Sequence, residues 1–147
     1  MFRKSMLGLS ALLVTAGLCL AQQQPATKPE VKQTPIKQTS AASGKEMFDQ
    51  YCAACHGTDG KGKGPAAPAM KAPPTDLTQL AKKNRGKYPS NQVSSVLKFG
   101  TGAAGSHGSK DMPVWGPLLR SLDKYHDEVV QQRVANIVSY IESLQAK

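Results

Sequence analysis

The chain is predicted to fold as an all-α domain with long loops, and three features predict it. The C-terminal stretch repeats its apolar residues at helical spacing. Val130, Val134, Ile137, Val138, Ile141 and Leu144 fall at i, i+4, i+7, i+8, i+11 and i+14, one stripe of a 3.6-residue period. Ser43 stands three residues before Glu46, the capping-box spacing that opens a helix. Proline and glycine punctuate the chain between these segments, and no run alternates apolar and polar residues as a half-buried strand does.

Residues 1–21 read as an export signal peptide. Arg3 and Lys4 form a positive start, Met6 to Leu20 is apolar but too short to span a bilayer comfortably, and Cys19-Leu20-Ala21 resembles a small-x-small cleavage site. Gln22 is then the expected mature N-terminus. A retained segment acting as a membrane tether is the alternative, whereas lipidation at Cys19 is disfavoured by the bulky Leu18 before it. Residues 22–43 are rich in Gln, Pro, Thr, Ser, Ala and Lys, with only Val31 and Ile36 clearly apolar. Such a composition buries too little surface to offset its ordering entropy, so it is expected to be a flexible linker. Residues 44–147 remain, the size of one domain.

Within that domain the first helix is expected from Gly44 towards Cys55, with Met47, Tyr51 and Cys55 on one face and Phe48 and Cys52 beside them. Gly57 and Gly60 end it. A short helix follows Pro73-Pro74-Thr75 with Asp76 as cap and Leu77, Leu80 and Ala81 inward. Another follows Pro89 with Ser90 as cap, Val93, Val96 and Leu97 inward, and Gly100 as stop. Asp127 is the expected cap of the last helix, with Glu128 in its first turn and Val129 and Tyr140 widening the stripe.

The first helix carries Cys52-Ala53-Ala54-Cys55-His56. Cys-x-x-Cys-His is the attachment signature of c-type haem: two thiols add across the porphyrin vinyl groups and the adjacent imidazole sits beneath the iron. Three other readings compete. A thioredoxin-like dithiol opens a helix after a strand, and no strand is evident. Structural zinc usually takes four protein ligands, and the chain has no second Cys-x-x-Cys. The third is a chance match. With residues 1–21 removed, only Cys52 and Cys55 remain. A disulfide across a two-residue gap is strained, whereas thioethers account for both sulfurs. One haem is expected. Its large apolar surface would supplement a core with modest Leu, Ile, Val and Phe content.

A free sixth position on the iron binds gases or peroxide, and a filled one restricts the protein to moving electrons. The candidates are Met112, Met70, Met47, His107 and His126. Met112 is preferred. It lies in Asp111-Met112-Pro113-Val114-Trp115-Gly116, far enough downstream for the chain to pass round the porphyrin, and Pro113 restricts it to extended geometry. His/Met ligation raises the potential relative to a second imidazole. Met70, in a proline-flanked loop, is the rival. Met47 reads as core, and His107 and His126 as surface.

Taken together, Cys52-Ala-Ala-Cys55-His56-Gly57, the glycine- and proline-rich run to Pro65, Pro74-Thr-Asp76-Leu77, Met112-Pro113-Val-Trp115-Gly116 and the last helix with Tyr140 resemble the class I c-type cytochromes of the bacterial monohaem sort. The resemblance covers Gly44 to the end. It implies a small fold in which the terminal helices cross and flank one covalent haem, and a single-electron shuttle rather than an enzyme. It also implies that a proline carbonyl, placed here at Pro65, accepts the second N–H of His56, and that Trp115 donates its indole N–H to a haem propionate. The Gly100 to Lys110 loop is long beside compact members of the family.

The formal net charge is +9, and residues 22–147 hold 17 basic against 10 acidic side chains. Lys61, Lys63, Lys71, Lys82, Lys83, Arg85 and Lys87 are opposed in their stretch only by Asp76. A basic face beside a haem edge steers acidic redox partners; the plainer reading is a solvated face. Nucleic-acid binding is disfavoured, since no recognition motif or interleaved aromatics accompany the charge. The reading that results is an exported, periplasmic electron carrier, monomeric when free. The alternative is a haem-bearing subunit of a larger respiratory or dehydrogenase complex.

Overall fold

A computed structural model describes residues 36–102, 111–123 and 126–146. Among the described residues there are helices, turns and loops and no strand, which is the all-α fold expected. The elements are α1 (Gly44–Tyr51), α2 (Ala53–His56), 3-10 turns at Ala67–Ala69 and Leu77–Gln79, α3 (Leu80–Lys83), α4 (Ser90–Phe99), α5 (Trp115–Leu122) and α6 (Asp127–Ser143).

The crossing of α1 over α6 organises the domain. Gly44 makes it close, because a Cβ there would stand 2.1 Å from the Asn136 carbonyl oxygen. Phe48 and Tyr140 meet across the crossing at 5.2 Å between ring centroids, tilted by 56°, in the range aromatic pairs favour. Met47 and Phe48 are fully buried with Val134, Ile137, Val138 and Ile141, so the predicted α6 stripe is the core face. Leu97 of α4 and Leu119 of α5 complete the core, and the Tyr88 hydroxyl, just before α4, donates to the Val138 carbonyl at 2.9 Å. Beyond α6, Ala146 N–H donates to the Thr78 carbonyl, and the Gln145 amide reaches the Leu77 carbonyl.

Helix ends follow the expected chemistry with small displacements. Ser43 Oγ accepts from Glu46 N–H at 3.1 Å. The reciprocal arm of the box shifts, since Glu46 takes Ser40 N–H while Ser43 N–H goes to the Ser40 carbonyl. Asp76 caps its turn through Thr78 N–H. Ser90 and Asp127 each lie one residue inside their helices, with Pro89 and His126 at the caps. The first helix, expected to run unbroken towards Cys55, divides at Cys52, where φ is −109°.

Three features differ from the sequence expectation in kind. First, α5 lies where a loop was expected. Gly116 and Pro117 read as breakers, yet both fall in the first turn, where backbone N–H groups need no helical partner. Second, residues 37–42, assigned to the linker, are bonded into the domain. Arg133 Nη1 donates to Thr39 Oγ1 at 3.1 Å, the Thr39 hydroxyl to Tyr51 Oη at 2.7 Å, and the Tyr51 hydroxyl to the Lys37 carbonyl at 2.6 Å. Asn136 Nδ2 adds a bond to the Ala41 carbonyl. Composition predicted no ordering because these bonds are supplied by α1 and α6. Third, Arg133 is 2 % exposed inside the apolar stripe and pairs with Asp123.

Candidate haem cleft

Cys52, Cys55 and His56 follow from α1 into α2 and line one cleft. Met70, Met112 and Trp115 line the same cleft. The lining is drawn from the α1–α2 helices, the proline-rich stretch Pro73–Thr75, Thr101 and the run from Asp111 into α5. The glycine-rich loop after the motif explains how α2 is held. Gly62, Gly64 and Ala66 donate their N–H groups to the carbonyls of His56, Cys55 and Ala54 at 2.7, 2.9 and 2.8 Å, satisfying acceptors a helix end leaves open. Glycine is needed at 64, where a Cβ would stand 2.4 Å from the Ala54 carbonyl oxygen.

His56 Nδ1 lies 2.9 Å from the Thr75 carbonyl oxygen. A carbonyl only accepts, so Nδ1 carries the proton and Nε2 keeps its lone pair. Burial lowers the imidazole pKa, the Thr75 hydrogen bond opposing in part, so the ring is a neutral Lewis base at neutral pH. The carbonyl expected from Pro65 is therefore supplied by Thr75. Pro65 is exposed and lies outside the cleft, because its loop is committed to covering the end of α2. Pro74 before Thr75 was the local signal for a rigid turn, but nothing local said that the turn meets His56.

The thiols sit in different surroundings. Burial, helped by the neighbouring Cys55, pushes the Cys52 pKa up to about 12; burial raises that of Cys55 as well. Both are protonated at neutral pH, in keeping with sulfurs that face apolar surface. Trp115 stacks on Tyr51 at 5.5 Å with 27° between the rings, and both rings line the cleft. Tyr51 is the lining residue the sequence had placed only on a helix face.

Of the other candidates, Met70 shares the cleft with Met112, and Met47 and His126 lie away from it. Met47 is fully buried against Arg133, its sulfur 3.6 Å from Nη1. His126 is exposed beside Glu128. His107 lies outside the described residues. Among the described residues no three His, Cys, Asp or Glu side chains converge on a metal-sized site. Two sulfurs, a neutral imidazole and methionine thioethers around an apolar cleft suit a covalently held iron porphyrin. The residues present therefore fit a haem: Cys52 and Cys55 offer two sulfurs for covalent attachment, and His56 is placed to offer its imidazole to the iron.

A family model described as Cytochrome c matches residues 41–145. No curated protein and no solved structure matched the chain. Its first matched residue, Ala41, falls in the segment bonded to α6. The match and the cleft agree, and the chain belongs to the cytochrome c family, carrying covalently attached haem c with its iron.

Proposed function

We propose that the protein is a periplasmic single-electron carrier whose haem is joined to Cys52 and Cys55 and whose iron is held by His56 and Met112. When bound, haem supplies a ferric/ferrous couple that takes and gives one electron. The chain's own residues do the rest. The Thr75 carbonyl orients His56 and keeps its Nε2 available. Met112, restrained by Pro113, would offer its thioether to the iron in place of small ligands. Tyr51 and Trp115 form an aromatic wall that limits water, and the Trp115 indole N–H is assigned to a haem propionate.

The observation that carries this reading is the convergence of Cys52, Cys55, His56 and Met112 on one cleft, with the imidazole tautomer set by Thr75. The export signal at residues 1–21 supports the compartment. No helix among the described residues is long and apolar enough to cross a membrane. Lys61, Lys63, Lys71, Lys82, Lys83, Arg85 and Lys87 are all exposed, which supports partners with acidic docking surfaces. We assign the free carrier as a monomer.

The test uses protein matured with a haem-attachment system. A reduced-minus-oxidised spectrum with a sharp α-band, and a chromophore that stays with the protein in acid acetone, are expected. The ferric protein should show the weak near-infrared band of a sulfur-ligated iron. Met112→Ala should lose that band and bind carbon monoxide readily. A variant indistinguishable from the native protein overturns the assignment of Met112.

A further inference from the structure

The two cleft methionines lie on segments far apart in sequence, and one hydrogen bond joins those segments. Met70 ends the Ala67–Ala69 turn. The next residue, Lys71, donates its backbone N–H to Asp111 Oδ2 at 2.8 Å, across 40 residues. Asp111 immediately precedes Met112 and itself lines the cleft. Met112 therefore has a side-chain anchor on one side and the φ-restricted Pro113 on the other.

A thioether is a neutral, weakly basic ligand on a side chain with three rotatable bonds. Its persistence on a metal depends on how firmly its backbone is held. A carboxylate accepting a backbone N–H is a charge-assisted bond, stronger than a neutral one. We infer that Asp111 is a positioning residue: by clasping the turn that follows Met70, it holds the Met112 sulfur at the sixth iron position. The inference rests on the proposal that Met112 ligates the iron. Asp111 does not touch the metal. It acts as an outer partner that fixes a ligand's orientation.

The test measures, in the haem-loaded ferric full-length protein, how fast imidazole displaces the sulfur ligand, followed by loss of the near-infrared band. Asp111→Ala should accelerate displacement about tenfold, the lower end of what loss of an outer-shell partner costs. Asp111→Asn should fall between the native rate and the alanine's, because its amide oxygen accepts the same N–H without the charge. Lys71→Pro removes the donor instead. Met70 already has φ −76° and ψ 149°, the geometry a residue before proline adopts. Lys71→Pro should accelerate displacement in the same direction, and the double variant should fall short of the two single effects combined.

Native rates in both Asp111→Ala and Lys71→Pro overturn the inference. So does an Asp111→Asn variant as fast as the alanine, or an acceleration that merely tracks lost stability in denaturant. The two proposals fail differently. A sulfur band that persists in Met112→Ala sinks the ligand assignment and this inference with it. A band that disappears in Met112→Ala but is indifferent to Asp111 sinks the clasp alone.

Discussion

Asp123→Ala should be among the most destabilising single changes outside the haem cleft. Arg133 is 2 % exposed and donates Nε to Asp123 Oδ2 at 2.5 Å and Nη2 to Oδ1 at 2.9 Å, a two-pronged pair. Nη1 goes to Thr39 Oγ1. Removing the carboxylate leaves a buried guanidinium with one hydroxyl and the Met47 sulfur for company. Breaking a buried pair costs about 3–5 kcal/mol. The Asp123 side chain is 10 % exposed, so water reaches one side of the pair, and we take the lower end, about 3 kcal/mol. At 4–8 °C per kcal/mol for a domain of this size, the midpoint should fall by roughly 12–24 °C. The assay is denaturant and thermal unfolding of the haem-loaded protein, followed by far-ultraviolet circular dichroism and the haem absorption together, with coincident transitions required. Replacing both partners, as Arg133→Met with Asp123→Leu, removes the stranded charge and should come within about 1 kcal/mol of the native protein. An Asp123→Ala variant within about 0.5 kcal/mol of native would refute the reasoning, since that is the scatter of ordinary surface changes. So would a double variant as unstable as the single one.

Two further predictions concern the helix crossing and acid sensitivity. Gly44→Ala places a Cβ 2.1 Å from the Asn136 carbonyl oxygen and should cost about 3 kcal/mol, the upper range for overpacking; Gly102→Ala, with nothing within 4 Å of its added Cβ, should be nearly neutral in the same denaturant titration. The Thr78 hydroxyl and N–H hold the Asp76 carboxyl below its ordinary pKa. The stability Asp76 contributes is therefore complete above the unfolded-chain value near 3.9 and fades as pH falls through the lower folded one, so Thr78→Val should flatten the dependence of stability on pH below about 4. An unchanged slope would dissociate Asp76 from that loss.

The haem cleft was legible wherever its chemistry is written in contiguous residues. Cys52, Cys55 and His56 are neighbours on one helical path, so their spacing alone brings them to a common cleft. The α6 stripe repeats with the helical period, and the residues it names are those the domain buries. The expected caps at Ser43 and Asp76 are made within three residues of the group they satisfy. Met112 is proposed for a different reason: few side chains in the chain suit iron, and Pro113 marks one of them.

Residue pattern by itself settled the helical class, the haem motif and the face that α6 buries, because each depends on groups a few positions apart. Only the tertiary structure decided that Thr75 rather than Pro65 meets His56, that Arg133 finds Asp123 and Thr39, that Lys71 reaches Asp111, and that residues 37–42 belong to the packed domain. In each of these a loop or chain end meets a side chain or backbone group. Such pairings depend on where helices cross and how loops return, and a backbone carbonyl or N–H is present at nearly every position, so residue type gives no warning of which one is used.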